Sequence, residues 1–323
     1  MASIVKPILR RALLYVPASS QKMLAKSLIL ASDNITYDLE DAVTPQQKPA
    51  ARKALREHLA ALSKPPAVGE LAVRINAVST PYALDDLTSL ATAPVVDALV
   101  IPKVNSASDL SFVTDVLRHL APERHPASAS AQGGRPMRLI ALIESARAVM
   151  DLRAICAASP YLSGLVFAAE DFALDMSLQR TPSLNEFSYA RSAIATAARA
   201  FNLPSTIDLV CTSYKGPEAL QRLRDECQNG REMGFNGKQC IHPSQVEMVQ
   251  NMFSPAAEEV EWSVRVMIAD KKASSQGRGA WTLEGNMIDA PVVGKAYAIV
   301  AKAETCGIDL RELREKWRCQ EPE

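Results

Sequence analysis

The chain predicts an α/β fold of the (β/α)8, or TIM-barrel, type with a C-terminal helical extension that acts as a lid. Three observations carry this reading. Eight short runs of β-type residues recur along the 323 residues. Amphipathic segments rich in Ala and Leu separate most of them. Nearly every run also ends in a charged or polar residue, which is what a parallel barrel needs to deliver its chemistry to the carboxyl ends of the strands.

RALLYVPA (11–18) opens the series and leads into SSQKMLAKS, a helical segment with Lys22 and Lys26 one turn apart. NITYDLED (34–41) closes on Asp38, Glu40 and Asp41, ELAVRINA (70–77) carries Arg74, and ALVIPKV (98–104) carries Lys103. The next connection, PERHPASASAQGGRP (122–136), is rich in Pro, Ala, Ser and Gly without helical period and reads as a flexible surface insertion. RLIALIES (138–145) ends at Glu144 and GLVFAAED (164–171) at Asp171, with Glu170 facing the opposite way by strand alternation. STIDLV (205–210) presents Asp208 and FNGKQCIHP (235–243) presents His242. These charged residues are expected to converge on one mouth.

The barrel is expected to close around Pro243, followed by a helix over 244–253 with Ser244 as its cap. Residues 1–254 form the barrel domain and 255–323 the extension. Helical spacing over 256–275 puts Val260, Val264, Met267 and Ile268 on one side, a Gly-rich turn spans 276–291, and a last helix covers 292–307. So small an extension does not fold alone, so it packs on the barrel, on a neighbouring subunit, or on both. The stretch GNMID pairs apolar residues with a carboxylate after a flexible turn, the composition of a lid.

Bulk composition narrows the function. Lys plus Arg and Asp plus Glu are equal at 36 each, giving no net charge and no general affinity for nucleic acid. No apolar stretch is long enough to cross a bilayer. The six cysteines form no C-x-x-C pair, which predicts reduced thiols in an intracellular compartment. The N-terminal MASIVKPILRR is basic and without acids but short, leaving cytoplasm and mitochondrial matrix both open. Only four histidines occur, and only His242 lies at a strand end, so a zinc site of several imidazoles is excluded. A metal here is held by carboxylates, which favour magnesium, manganese or calcium.

Glu144 and Asp171, on neighbouring strands, satisfy that requirement. Two close carboxylates resist joint ionisation unless a cation lies between them. Arg74 suits a substrate carboxylate or a thioester oxygen gaining charge, since an interior holding several acids also needs a substrate anchor; the alternative is an ion pair with Asp38, Glu40 or Asp41. Lys103 suits either a Schiff base or an ion pair with Glu40 or Asp41. Lys22 and Lys26 suit the phosphates of a long anionic cofactor, or are simply a solvated face. His242 reads as a ring held by backbone bonds, and Cys211 and Cys240 read as packing residues.

Together, RRALLYVPASS, YDLEDAV, VRIN, IPKV, LIES, AAEDF, GFNGKQCIHPSQV and GNMIDAP resemble the citrate lyase beta subunit and its relatives, the HpcH/HpaI aldolase superfamily. The resemblance spans almost the whole chain, and the citramalyl-CoA lyase branch is most similar. It implies magnesium bound through Glu144 and Asp171, substrate contact by Arg74, and coenzyme A bound by Lys22 and Lys26 with Tyr15 nearby and the backbone at Gln239 and Cys240. It further implies a homotrimer in which Asp289 of the MID segment, delivered by a neighbouring subunit, is the catalytic acid/base. Ala18 departs from the glycine that the family usually has there.

The expected activity is magnesium-dependent carbon–carbon cleavage of a 3-hydroxyacyl-CoA, with citramalyl-CoA first, then malyl-CoA and citryl-CoA. The alternatives are a condensing enzyme of the malate synthase or malyl-CoA thioesterase type, a Schiff-base aldolase using Lys103, and a non-catalytic CoA-binding subunit.

Overall fold

Alternation along each strand decides which side chains enter the barrel and which meet the helices outside. The computed structural model describes residues 8–62, 68–132 and 134–323. Residues 1–7 of the basic N-terminal stretch lie outside the described residues. Strand β1 (Ala12–Pro17) precedes helix α1 (Gln21–Ser27), β2 (Asn34–Asp38) precedes α2 (Lys48–Ala60), and β3 (Glu70–Arg74) precedes α3 (Ala83–Leu90). β4 (Ala98–Ile101) is followed by α4 (Ala107–Leu120) and α5 (Pro126–Gln132), and β5 (Arg138–Ile143) by α6 (Ala146–Met150) and α7 (Leu152–Ala157). β6 (Leu162–Phe167) precedes α8 (Ala169–Asp175) and α9 (Ser188–Ala200), β7 (Ser205–Asp208) precedes α10 (Pro217–Glu232), and β8 (Gly237–Cys240) precedes α11 (Pro243–Met252). All eight strands pair in parallel, and β8 returns to β1 to close the barrel.

The register aligns Tyr15 with Thr36, Thr36 with Ala72, Arg74 with Val100, Val100 with Ile140, and Leu142 with Val166. Residues at these positions face inward, and Leu13, Ala72, Val100, Ile140, Leu142, Val166 and Ile207 fill the interior. The intervening positions, among them Leu14, Ile35, Leu71, Leu99 and Leu165, are buried in the larger core outside the barrel. Each such side chain contributes about 1.5–3 kcal/mol on leaving water, so the barrel rests on two concentric apolar layers.

The amino-terminal end of the barrel is closed by charge. Arg10 meets Glu70 through Nε–Oε2 at 2.6 Å and Nη2–Oε1 at 2.7 Å, and also donates to Ser163 and Ser205. Asn34 donates to the same carboxylate at 2.7 Å. Burial alone would raise the Glu70 carboxyl, but the charge and hydrogen bonds of Arg10, with Asn34 and Arg138, hold it below its ordinary range.

Four expectations need correction. Asp208 does not reach the mouth: Ile207 occupies the inward position, so Asp208 faces out and pairs with Arg191 of α9 at 2.6 and 3.0 Å. Gly230 on α10 leaves it room, since a β-carbon there would stand 2.4 Å from Asp208 Oδ2. Glu170 and Asp171 belong to the first turn of α8 and not to a strand end, because β6 stops at Phe167. The segment 122–136 contains a short 3-10 turn (Pro122–Arg124) and α5, anchored by buried Arg124, which donates to the carbonyls of Ala91, Ala93 and Val96. His242, and not Ser244, caps α11: its ring Nδ1 accepts from the Ser244 N–H at 3.2 Å.

Residues Ser254–Glu323 fall in a second compact unit, and Arg10–Phe253 in the first. Helix α12 (Ala257–Ser275) packs with α13 (Ala290–Thr305) through Val260, Val264, Val300 and Ala303. The expected Gly-rich turn holds a hairpin, β9 (Trp281–Leu283) and β10 (Asn286–Ile288), antiparallel to each other. Its two turn residues, Glu284 (φ 52°) and Gly285 (φ 75°), are both left-handed, which matches the twist of a tight two-residue hairpin. A short α14 (Arg311–Lys316) follows, and Trp317 lies under Arg265 at 4.2 Å from the ring centre. Among the described residues no helix is long and apolar enough to cross a membrane.

Candidate active site

The carboxyl ends of the strands carry a cavity of about 430 Å3. Tyr15, Asp38, Asp41, Arg74, Asp171 and Gln239 are among its walls. Each arrives for a local reason. Tyr15, Asp38, Arg74 and Gln239 occupy inward positions at the ends of β1, β2, β3 and β8. Asp171 stands in the first turn of α8, where a carboxylate also meets the positive end of the helix.

Arg74 makes the ion pair and lines the cavity at once. Its Nε and Nη2 donate to the two oxygens of Asp38, each at 2.7 Å, and its guanidinium lies over the Tyr15 ring at 4.7 Å. Nη1 stands 3.0 Å from Glu40 Oε2, without hydrogen-bond geometry, and 3.3 Å from Asp41. A planar group held on two sides in this way is fixed in orientation before any ligand binds. Tyr15 in turn donates to Gln239 Oε1 at 3.0 Å, and Gln239 Nε2 donates to the carbonyls of Phe167 and Asp208. Burial raises the Tyr15 phenol above its usual range, so it stays a neutral donor.

Beside this cavity lies a second cluster, made by Glu40, Lys103 and Glu144. Glu144 is 5% exposed, and its Oε2 finds no hydrogen-bond partner. Burial, together with the charges of Glu40 and Asp171, pushes its carboxyl up to about 8. Lys103 Nζ stands 2.5 Å from Glu40 Oε1, 3.8 Å from Asp41 and 4.0 Å from Asp171. Burial alone would favour the free amine, yet Glu40, Glu144 and Asp41 hold the ammonium above its usual range. A Schiff base needs that amine unprotonated, so the geometry speaks for the ion pair.

An orphaned oxygen on a buried carboxylate, with a second acid close enough to raise its proton affinity, fits a divalent cation between Glu144 and Asp171. Among the described residues no group of three or more His, Cys, Asp or Glu forms a metal cage. The pair therefore offers an incomplete shell with positions left for ligand oxygens.

The other expected residues divide. Lys22 and Lys26 are both exposed on α1 and are not among the cavity walls. Cys240 is fully buried, its thiol raised by that burial, as is the thiol of Cys211. Ala18 is also fully buried, and its N–H donates to the Asp38 carbonyl at 3.0 Å. His242 stacks on Tyr214 at 4.9 Å between ring centres. Asp289, in the second unit, caps α13 by accepting from the Val292 N–H at 3.2 Å.

Sequence reasoning weighed Glu40 only as a partner for other side chains. It shares the strand parity of inward-facing Asp38, and that was the available signal. Lys48 had none: its buried ammonium reaches back from α2 to the carbonyls of Leu39 and Glu40, at 2.9 Å each, and fixes the loop that carries Glu40 and Asp41.

A closed parallel barrel with acids, an oriented arginine and a lysine gathered at its strand ends defines a class, that of the barrel enzymes. Residues 11–243 match the family described as HpcH/HpaI aldolase/citrate lyase. The chain is 33% identical over 302 residues to citrate lyase subunit beta of Leuconostoc mesenteroides subsp. cremoris, covering 91% of this chain and 93% of that one. It is 33% identical over 308 residues to the mitochondrial citramalyl-CoA lyase of Homo sapiens, covering 92% and 86%. A crystal structure of protein CitE from Mycobacterium tuberculosis in complex with magnesium, acetoacetate and coenzyme A superposes with a TM-score of 0.69 at 31% identity, covering 91% of this chain and 97% of that one. The chain belongs to the HpcH/HpaI aldolase/citrate lyase family and is an enzyme of the lyase class.

Proposed function

We propose that this chain is a magnesium-dependent carbon–carbon lyase that cleaves a 3-hydroxyacyl-CoA bearing a carboxylate on its hydroxyl carbon, with citramalyl-CoA as substrate. The observation that carries the proposal is the unpartnered Glu144 oxygen beside Asp171. Citramalyl-CoA lyase and CoA-bound CitE among the relatives support the choice of substrate class.

Glu144 and Asp171 would hold the ion, which when bound supplies Lewis acidity to the substrate's carboxylate and hydroxyl oxygens. Arg74, already oriented by Asp38 and Tyr15, faces the thioester oxygen that becomes negative as the bond between the hydroxyl carbon and the α-carbon breaks. The electron pair of that bond passes to the thioester enolate, and the hydroxyl carbon becomes the carbonyl of a 2-oxo acid. Asp289 of a neighbouring copy in a homotrimer takes the hydroxyl proton and returns one to the enolate carbon, giving acetyl-CoA. Lys22 and Lys26, exposed on the helix that follows β1, are the phosphate contacts for coenzyme A. A reducing compartment, cytoplasm or mitochondrial matrix, suits the four buried free cysteines.

The test is turnover of citramalyl-, malyl- and citryl-CoA by the metal-loaded protein and by Glu144→Ala, Asp171→Ala and Asp289→Asn. Cleavage of citramalyl-CoA to pyruvate and acetyl-CoA, lost in Glu144→Ala and Asp171→Ala, supports the reading. Turnover that survives both substitutions, or that persists in EDTA, overturns it.

A further inference from the structure

Lys103 is a cation of the mouth that the proposed reaction leaves without a task, and its surroundings are unusual. Its backbone is left-handed (φ 50°), a conformation that a residue with a β-carbon adopts at a cost of roughly 1 kcal/mol or more. The side chain turns to Glu40, Asp41 and Asp171. Asp38 is already matched by Arg74 through two hydrogen bonds. The remaining acids, Glu40, Asp41, Glu144 and Asp171, therefore share the far arm of Arg74 and the single ammonium of Lys103.

We propose that the Lys103 ammonium, bonded to Glu40 and within 4.0 Å of Asp171, is a tethered cation that stands in for the divalent ion of Glu144 and Asp171, moves out when that ion binds, and thereby sets the metal affinity of the site. This rests on the reading of Glu144 and Asp171 as metal ligands.

The physical case is one of exclusion. An ammonium 4.0 Å from Asp171 and a divalent ion on the same carboxylate repel each other, and the buried Glu40 and Glu144 beside them lower the local dielectric in which they do so. Lysine is suited to give way. Its charge sits on a flexible four-carbon stem, and the side chain is 39% exposed, so solvent is open to it. Asp41, with its carboxylate 58% exposed and 3.8 Å away, can receive the ammonium at the rim. Without the ion, the same ammonium, bonded to Glu40, offsets part of the repulsion among these acids. Arg74 cannot exchange in this way, because Asp38 and the Tyr15 ring pin it.

The test is calorimetric titration of the metal-stripped full chain with manganese and with magnesium, comparing wild type, Lys103→Met, Lys103→Arg and Glu144→Ala. Lys103→Met is expected to bind manganese more tightly than wild type, by a factor on the order of ten. Lys103→Arg, which keeps the charge, is expected to bind no more tightly than wild type. The metal-induced rise in Tm is expected to be larger for Lys103→Met, which also shows that the variant is folded. Equal or weaker binding by folded Lys103→Met, with wild type and not Glu144→Ala binding, overturns this inference alone. If wild type itself takes up no ion, the metal reading fails first and this inference with it.

Discussion

Two buried glutamates face the inside of the same barrel at opposite ends. Glu70, at the amino-terminal end, has every oxygen engaged: Arg10 binds both, Asn34 adds a third bond, and Arg138 lies 3.6 Å away. Glu144, at the carboxyl end, is buried to a similar degree but leaves one oxygen without a partner. The first carboxyl is held below its ordinary range and the second is pushed up to about 8. Burial is common to both, so burial is not what separates them. The difference is whether a countercharge bonds the carboxylate directly: Arg10 does so at Glu70, whereas Lys103 pairs with Glu40 and leaves the Glu144 oxygen unpartnered. Where it does, the acid closes the barrel; where it does not, the acid waits for a ligand.

That contrast breaks most decisively if the two acids respond alike to loss of charge. Glu70→Gln leaves Arg10 uncompensated, and should lower stability by about 3–5 kcal/mol, seen as a fall in Tm and in the urea midpoint. Activity per folded molecule should be unchanged. Glu144→Gln should lower turnover on the order of 10³-fold or more, while making the metal-free protein more stable.

The sign of that stabilisation depends on pH. The unfolded Glu144 carboxyl ionises near 4.5 and the folded one near 8. Between these values the folded state keeps a proton that the unfolded state has released. Raising pH through this window therefore favours unfolding of the wild type relative to Glu144→Gln. The gap should be on the order of 3 kcal/mol at pH 7, grow until about pH 8, and vanish towards pH 4. Urea unfolding of both proteins across pH 4–9, with EDTA present, measures it. A gap that shrinks as pH rises would place the countercharge inside the fold after all.

Asp208 sharpens the same comparison from the outside of the barrel. Paired with Arg191 and fully buried, it should behave like Glu70. Asp208→Asn should cost a few kcal/mol of stability, on the scale of a broken buried pair, and leave manganese affinity as in wild type. Tyr15→Phe is the mildest change. Losing the bond to Gln239 should cost about 1 kcal/mol, and because the ring stays under the Arg74 guanidinium and Asp38 still holds it, KM and kcat should each change less than tenfold.

Much of the barrel was legible because its signals are local. Apolar runs at the right spacing, and amphipathic segments between them, are properties of a few consecutive residues. Asp38 and Arg74 could be placed at the mouth by counting alternate positions. The same count, applied to STIDLV, would have sent Asp208 outward past Ile207. Helix α5 was hidden because its anchor, Arg124, binds carbonyls that lie about thirty residues earlier in the chain. The hairpin at 281–288 was hidden because Glu284, a residue not usually left-handed, takes the first turn position. Asp171 was found for the wrong local reason, since a helix start and not a strand end delivers it.

By itself, the sequence determined the order of the elements, the closed parallel barrel and the acids available to its mouth, because periodicity and residue chemistry are written along the chain. Only the tertiary structure decided which acids are satisfied. Whether Arg10 reaches Glu70, whether Lys48 fixes the Glu40 loop, and whether Glu144 is left without a partner depend on which strands and helices meet across the barrel. Electrostatic compensation is a matter of distances of a few ångströms, and no spacing in the sequence sets them.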